Sequence, residues 1–572
     1  MILALVLFMD HSGMGQGLII SPGTSFTGTG GNIVLRGNVV NNGSFSNNNN
    51  TVIFSGAAQS LGGTSPVLFN NLTVASGSTT TITTTGQLLN GILVSNSTLN
   101  ANGNITLLST VTQTALIDGS GIGQVSGNVI MQRYLPSGFG YKYFSSPFQG
   151  ATVNEFGDDM DLSASFPTFY EYDESRVSAG WVSYTNSAGV LNPMHGYAVN
   201  FGSGVAALTA DVTGVVNNGN LSRTMYNNNE TYTKGFNLVG NPYPSPIDWD
   251  AGTGWTKTNI DDALYYFKAG GADQYSGTYS TYINGTSSDG LATNIVPSMQ
   301  GFFIHVSDGA WPVTGTLGID NNVRIIDNSH QFIKSDNGST KSFLRVVANF
   351  GDKQDSSDPL VIYFDEKAQN EFDSRLDALK LMNTDRFVPN LYAIASDGYN
   401  LSINALPVLE DSLLVVPLGL KTEREGIIAF RVRDSGNLPT GINVYLHDEK
   451  TGANQSLNLN NAYTIYLNAG EYNNRFSLKF IQGAIEMNES RQDADLLDIY
   501  ISKGVMIADI RLLPGDKGTM IISNISGQIV FRKDIYEVGY YDVNPRLKSG
   551  IYIVNFISGN VRNVKKIFIL NK

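Results

Sequence analysis

The chain of 572 residues has no cysteine, only 18 prolines and few charged side chains. Without cysteine it forms neither disulfides nor thiolate-ligated zinc or iron–sulfur sites. Charged residues make up 15% of the chain, against roughly 25% in a typical soluble domain. The net charge of −13 argues against nucleic-acid binding, which rests on lysine and arginine neutralising phosphates. No apolar run approaches the roughly 20 residues of a transmembrane helix.

Glycine and small polar residues take the place of the missing charge. The chain holds 61 glycines, and 41% of its residues are apolar, so it can still bury cores. Asn, Ser, Thr and Gly favour turns, and many turns between short apolar runs predict many short strands. A chain of this length is expected to form about three to five domains. We therefore predict an all-β, multi-domain protein.

Residues 1–16 resemble the end of a signal peptide. An apolar run covers Met1 to Met9, and Gly13-Met14-Gly15 has the small-x-small form of a cleavage site, which makes Gln16 the first mature residue. A basic segment before the apolar run is absent. The alternative interpretation is an ordinary first strand.

Residues 17–125 contain two charged side chains, Arg36 and Asp118. One short β run per turn, with Asn and Thr able to stack, is typical of a parallel β-solenoid; irregular spacing leaves a β-sandwich open. The segment resembles the Asn/Gly-rich repeats of bacterial surface proteins and adhesins. The runs lie at 32–35, 51–54, 71–74, 91–94 and 104–107.

Residues 126–323 contain a duplication. The stretch 140–148 matches 235–243, and Phe169-Tyr170-Glu171-Tyr172 matches Leu264-Tyr265-Tyr266-Phe267 at the same offset. We predict two homologous β modules, 126–215 and 216–323, packed as a pair. The phrase from Asn241 to Trp249 resembles one that recurs in large type IX secretion substrates of unassigned function.

Residues 324–485 predict a third β region with one short helix. Ala368, Phe372, Leu376 and Leu379 recur at helical spacing, and Asp365 is placed to cap the helix start. Residues 486–494 are polar and predict a linker.

Residues 495–572 read as strand, turn, strand to the end of the chain. Gly527 lies in a predicted tight hairpin, where a positive φ favours glycine. Ser549-Gly550-Ile551-Tyr552 repeats this device, and Lys565-Lys566 opens the last strand. The segment resembles the C-terminal type A sorting domain of type IX secretion system substrates, an immunoglobulin-like β-sandwich. It departs from the family in lacking a Tyr-Pro-Asn-Pro-like motif, where Ile499-Tyr500-Ile501-Ser502 stands instead.

The resemblance implies a route and partners. A type IX substrate reaches the periplasm, meets the translocon and sorting machinery, and ends on the outer-membrane cell surface or outside the cell. It also implies removal of the tail and possible attachment to surface lipopolysaccharide. The alternative is a terminal sandwich without a sorting role.

Aromatic side chains are the candidate ligand-binding residues, because exposed rings stack on sugars; they also fill β cores. Each of the four tryptophans lies in the duplicated modules: Trp181, Trp249, Trp255 and Trp311.

Acidic clusters are the candidate Ca²⁺ ligands, because this ion takes several oxygens; the alternative is a solvated loop. The first cluster is Asp158, Asp159 and Asp161, and the second is Asp352, Asp355 and Asp358. Asp248 and Asp250 are candidate paired acids for glycoside hydrolysis. None of the three sets carries a recognised motif, so we name no catalytic residue or resident cofactor.

The sequence predicts a secreted or cell-surface protein that binds polysaccharide or a protein partner in adhesion. One alternative is a glycan-degrading hydrolase or lyase, and the other is a structural component of an extracellular assembly.

Overall fold

The protein is all-β, as its composition predicts. Its described part contains 51 strands and two short 3₁₀ helices, Val153–Phe156 and Asn321–Val323. The computed structural model describes residues 17–28, 30–271, 273–329, 341–351, 356–408, 413–459, 461–482, 496–502, 505–512, 517–537, 539–543, 547–558 and 561–569. The signal-peptide prediction for 1–16 and the linker prediction for 486–494 lie outside these residues. Among the described residues, no helix has the length and apolar content needed to cross a bilayer.

The N-terminal part is a three-sided parallel β-solenoid. Its three sheets run β1-β4-β7-β10-β13-β16, β2-β5-β8-β11-β14-β17 and β3-β6-β9-β12-β15, and successive strands pair in parallel. This decides between the two predicted architectures in favour of the solenoid. The strands are β1 Leu18–Ile20, β2 Ser25–Thr27, β3 Ile33–Leu35, β4 Val39–Asn41, β5 Ser44–Ser46, β6 Thr51–Phe54, β7 Ala58–Gly63, β8 Leu68–Phe69, β9 Asn71–Val74, β10 Thr79–Ile82, β11 Gln87–Leu89, β12 Ile92–Ser95, β13 Thr98–Asn100, β14 Ile105–Leu107, β15 Leu116–Ile117, β16 Gln124–Ser126 and β17 Asn128–Leu135.

The solenoid and the first module share one core. Alternate residues of each strand point inward, and Leu72, Leu93 and Leu99 are buried beneath the three sheets. The last strand, β17, then pairs antiparallel with a strand of the first module, β23 (Leu208–Val216). Phe148 and Phe169 of that module join the same core. The predicted boundary at residue 125 therefore falls inside the last turn of the solenoid.

The two modules have the same strand order, which supports the predicted duplication. The sheet β18-β22-β20-β21 in the first copy corresponds to β25-β32-β28-β29 in the second. The strands are β18 Tyr141–Phe144, β19 Phe148–Gln149, β20 Phe169–Tyr172, β21 Trp181–Ser183, β22 Tyr197–Asn200, β23 Leu208–Val216, β24 Leu221–Asn227, β25 Phe236–Gly240, β26 Ile247–Asp248, β27 Trp255–Thr258, β28 Leu264–Ala269, β29 Gly277–Ile283, β30 Thr286–Ser287, β31 Ile295–Val296, β32 Gly301–His305 and β33 Val313–Ile319.

The copies pack by exchanging equivalent contacts, as two halves related by a two-fold axis do. Phe144 of the first copy bridges to Gln300 of the second, and the equivalent Val239 bridges back to His195. Met194 and Met299 occupy equivalent positions in the turns before β22 and β32, and both have φ of 61°. The duplicated sequence therefore forms one pseudo-symmetric body.

Two buried arginines cross between the copies. The Arg133 guanidinium donates to the carbonyl oxygens of Tyr143, in its own copy, and Met299, in the other, at 3.0 and 2.7 Å. Arg223 donates to the equivalent pair, Leu238 and Met194, at 2.7 and 3.2 Å. Each arginine thus ties its own copy to the turn of the other.

The third region is one 11-stranded sheet that encloses a core of its own and packs its other residues into a core shared with the two modules. Its order is β42-β41-β44-β39-β37-β38-β35-β34-β40-β43, and β36 pairs with β38. The strands are β34 Ser342–Phe350, β35 Ser357–Phe364, β36 Ala378–Leu379, β37 Asn390–Ile394, β38 Asn400–Leu406, β39 Leu413–Thr422, β40 Gly426–Gly436, β41 Ile442–Asp448, β42 Ala453–Ser456, β43 Ala462–Leu467 and β44 Gly470–Gln482.

The predicted short helix in this region is wrong. Residues 365–377 form turns, and Leu379 lies in β36. The carboxylates of Asp365 and Asp373 each accept the backbone N–H two residues on, and Asp377 accepts the N–H of Asp373. Such local side-chain bonds offer the backbone an alternative to the helix.

The C-terminal region is a small sandwich with its own core. One sheet runs β45-β46-β49 and the other β48-β47-β50-β51, which agrees with the immunoglobulin-like class that the resemblance implies. The strands are β45 Leu497–Ser502, β46 Val505–Ile510, β47 Gly518–Asn524, β48 Ile529–Ile535, β49 Gly539–Val543, β50 Gly550–Ser558 and β51 Val561–Ile569.

Candidate functional site: an aromatic surface where the two modules meet

The four tryptophans divide into core and surface residues. Trp249 is 1% exposed, and the ammonium of Lys257 lies 3.8 Å from its ring centroid. Trp255 packs edge-on against Trp249, and its indole N–H donates to the Asp248 carbonyl. The prediction that Trp249 binds a ligand is therefore wrong, because its ring is enclosed in the core. The Trp255 ring packs over that of Trp249.

Trp311 and Trp181 remain accessible to different degrees. Trp311 is 49% exposed at the start of β33, apart from the other tryptophan rings. Trp181 is half-buried and packs against Tyr143, Tyr172 and Phe303. Trp181 thus belongs to a larger aromatic cluster between the modules.

The structure does not gather Asp158, Asp159 and Asp161 into a cation site. Asp161 accepts both the backbone N–H and the hydroxyl of Ser163 in an exposed turn, and these hydrogen bonds lower its pKa. Burial, followed by repulsion from Asp158 and Asp211, raises the pKa of Asp159 to about 6. In the described ranges, no three acidic or histidine side chains are arranged to hold a metal ion.

The other predicted acids are occupied by partners within the chain. Asp248 accepts from the Asp250 backbone and from the Asn294 amide, and Asp250 accepts from the Tyr282 hydroxyl. Asp358 is buried in an ion pair with Lys380 at 2.5 Å, which corrects its assignment to a Ca²⁺ loop. Asp352 and Asp355 lie outside the described residues.

The predicted sorting residues occupy regular positions in the terminal sandwich. Gly527, with φ of +82°, lies in the turn between β47 and β48. Gly550 opens β50 after Ser549, and Tyr552 is buried in the small core. Lys565 and Lys566 lie in β51, opposite residues 553 and 554 of β50. Ile551, also in β50, faces Phe568.

An aromatic surface crosses the boundary between the two modules. We call it the seam surface and define it by Tyr141, Phe166, Tyr170, Trp181 and Tyr275. The Phe166 and Tyr275 rings meet edge to face with centroids 5.0 Å apart, and they are 54% and 49% exposed. Tyr141 and Tyr170 form a second edge-to-face pair at 6.1 Å, and Trp181 adjoins Tyr170 at 6.5 Å.

Amide and hydroxyl groups surround these rings, and one carboxylate, that of Asp273, accepts the backbone N–H of Tyr275 beside them. The Asn200 side chain hydrogen-bonds the Tyr141 hydroxyl. The Gln274 amide donates to the Tyr275 hydroxyl at 2.7 Å. Burial raises the pKa of Tyr141 and of Tyr170, so both phenols remain neutral donors and acceptors at physiological pH.

Sequence reasoning found Trp181 and missed the other four rings. Tryptophan content drew attention to the modules, but Phe166 and Tyr275 lie in loops more than 100 positions apart. Strands β20 and β18 are aligned by β22, which pairs with both. The aromatic period-two pattern of 169–172 and 141–144 was the available signal.

Most of the chain matches a single family model. Residues 36–480 match the model of a family described as Domain of unknown function (DUF8693). The chain belongs to this family. The match begins after β3, spans the rest of the solenoid, both modules and nearly all of the third region, and stops before the terminal sandwich. No curated protein matches the chain.

Proposed function

We propose that this member of DUF8693 is a type IX secretion substrate that acts outside the cell as an adhesive binding protein for polysaccharide or a protein partner. The DUF8693 unit forms the working body, and residues 495–572 form the sorting signal. The observation that carries the export proposal is the terminal sandwich, which has a separate core and the predicted hairpin glycine.

Binding, rather than hydrolysis, is supported by the side chains at the seam surface and at the acids. The seam surface offers exposed rings with amide and hydroxyl neighbours, which is the chemistry of sugar recognition. The carboxylates of Asp248 and Asp250 instead hold an asparagine and a tyrosine of the same module. The solenoid provides an elongated support for such a binding body.

The test is to locate the protein in its native cell with and without residues 495–572. We expect the intact chain on the cell surface, accessible to added antibody and protease, with the tail removed from the mature form. The truncated chain is expected to accumulate in the periplasm. Equal surface exposure of both forms would show that the tail is an ordinary terminal domain.

A further inference from the structure

One pair of aromatic rings occupies equivalent positions in the two modules but differs in solvent exposure. Tyr141 and Tyr170 of the first copy correspond to Phe236 and Tyr265 of the second, which also meet edge to face, at 5.3 Å. In the second copy the pair is enclosed: Tyr265 is 1% exposed, and its phenol bonds the backbone of Leu379 in the third region. The third region thus covers this face in one copy.

In the first copy the equivalent pair is half-buried and continues into the exposed rings of Phe166 and Tyr275. Tyr275 comes from the second copy, so this surface exists only where the two modules are paired. Strands β18 and β20 hold Tyr141 and Tyr170, and β21 holds Trp181. Phe166 and Tyr275 lie in loops and pack edge to face against each other. These contacts orient the rings before any ligand arrives.

We propose that the seam surface binds a neutral polysaccharide. This inference rests on the proposed function and specifies its ligand class and its residues. Ring faces at Phe166 and Tyr275 would stack on the apolar faces of sugar units. The Tyr141 and Tyr170 hydroxyls and the Asn200 and Gln274 amides would exchange hydrogen bonds with sugar hydroxyls.

The local charges favour an uncharged ligand over an acidic one. The ammonium of Lys142 donates to the Phe139 carbonyl from the neighbouring position on β18, whose side chain alternates to the other face of the sheet. Asp273, whose carboxylate accepts the Tyr275 backbone N–H, places a negative charge beside the exposed rings. The Asp273 carboxylate would repel an anionic glycan at this surface.

The experiment measures binding of the purified full chain to soluble β-glucan, mannan and xylan, with alginate as the anionic comparator, by affinity electrophoresis and calorimetry. Phe166→Ala and Tyr275→Ala are tested singly and together. Tyr536→Ala is the matched control, because Tyr536 is 69% exposed in the terminal sandwich, which has its own core. Tryptophan fluorescence verifies that each variant is folded.

We expect at least one neutral polysaccharide to bind saturably and alginate not to bind. Each single variant is expected to weaken binding about 3- to 10-fold, and the control to leave it unchanged. The proposal is overturned if no neutral polymer binds, if alginate binds equally well, or if the double variant binds like wild type.

The two proposals fail separately. Glycan binding by the purified chain does not depend on the tail, so loss of surface localisation would leave the seam proposal standing. Correct localisation of the double variant together with unchanged glycan binding would remove the seam proposal and leave export intact.

Discussion

Replacing Arg133 with methionine tests the pairing of the two modules. The guanidinium is enclosed at the boundary between the copies, and burial lowers its pKa. It donates to the carbonyl oxygens of Tyr143 and Met299 and to the side-chain oxygen of Gln300. Methionine fills part of the same volume and removes every donor.

The magnitude follows from the hydrogen bonds that are lost. Arg133 donates to three buried oxygens at 2.7 to 3.0 Å, and each lost hydrogen bond from a charged donor costs about 1–1.5 kcal/mol. The Met299 carbonyl keeps the Ser145 N–H, and the Tyr143 carbonyl keeps the Gln300 amide. We expect Arg133→Met to lower the free energy of unfolding by about 3–5 kcal/mol. Arg223→Met, which removes donors from two carbonyls, is expected to cost about 2–3 kcal/mol.

The assay is urea unfolding of the full chain followed by tryptophan fluorescence, which reports on the modules because they contain all four tryptophans. Arg176→Met is the control, because the exposed guanidinium of Arg176 donates to the Ser178 hydroxyl of its own loop at 3.4 Å. Its cost is expected within about 0.5 kcal/mol. The reasoning is refuted if Arg133→Met costs no more than this control, or less than Arg223→Met.

Three further predictions concern single side chains. Asp358→Ala leaves the buried ammonium of Lys380 without its ion-pair partner and is expected to cost about 3–5 kcal/mol in thermal unfolding, whereas a change below about 1 kcal/mol would contradict the pairing. Trp249→Ala opens a core cavity and is expected to cost about 3–5 kcal/mol, while Trp311→Phe at the surface should cost about 0.5 kcal/mol or less; equal costs would contradict their different burial. Burial raises the pKa of Asp377 to about 7, so the folded state binds its proton more tightly than the unfolded chain, and this carboxyl contributes stability at low pH that is lost as pH rises towards 7. Asp377→Asn should therefore become more stable relative to wild type between pH 5 and pH 8 in chemical unfolding, and a constant difference would refute that assignment.

The solenoid could be predicted from sequence because its information is local. Each turn requires a short run such as Asn71–Val74 whose alternate residues enter the core, and parallel stacking then pairs successive turns. Because the spacing is irregular, the sequence did not distinguish a solenoid from a sandwich. The two differ in which strands pair, and in the solenoid each strand pairs with one roughly 20 positions away. The sequence of a single strand does not specify that partner.

The helix predicted between Ala368 and Leu379 is absent because local hydrogen bonds favour turns over the apolar spacing. Ala368 and Leu376 have helical spacing and are buried as predicted, but Asp365 and Asp373 bind nearby backbone N–H groups in turns. Burial by tertiary packing needs only that apolar side chains reach a core. It does not require the backbone between them to be helical.

Sequence alone determined the all-β class, the duplication and the terminal β domain, because alternation, repeated motifs and turn glycines are properties of short segments. Tertiary structure alone decided that Trp249 is core and that Phe166 and Tyr275 share a surface. Phe166 and Tyr275 are far apart in the sequence and meet because the two modules pair. Pairing is a property of the folded surfaces, and the third region then covers the ring pair of one copy while the pair of the other copy stays accessible.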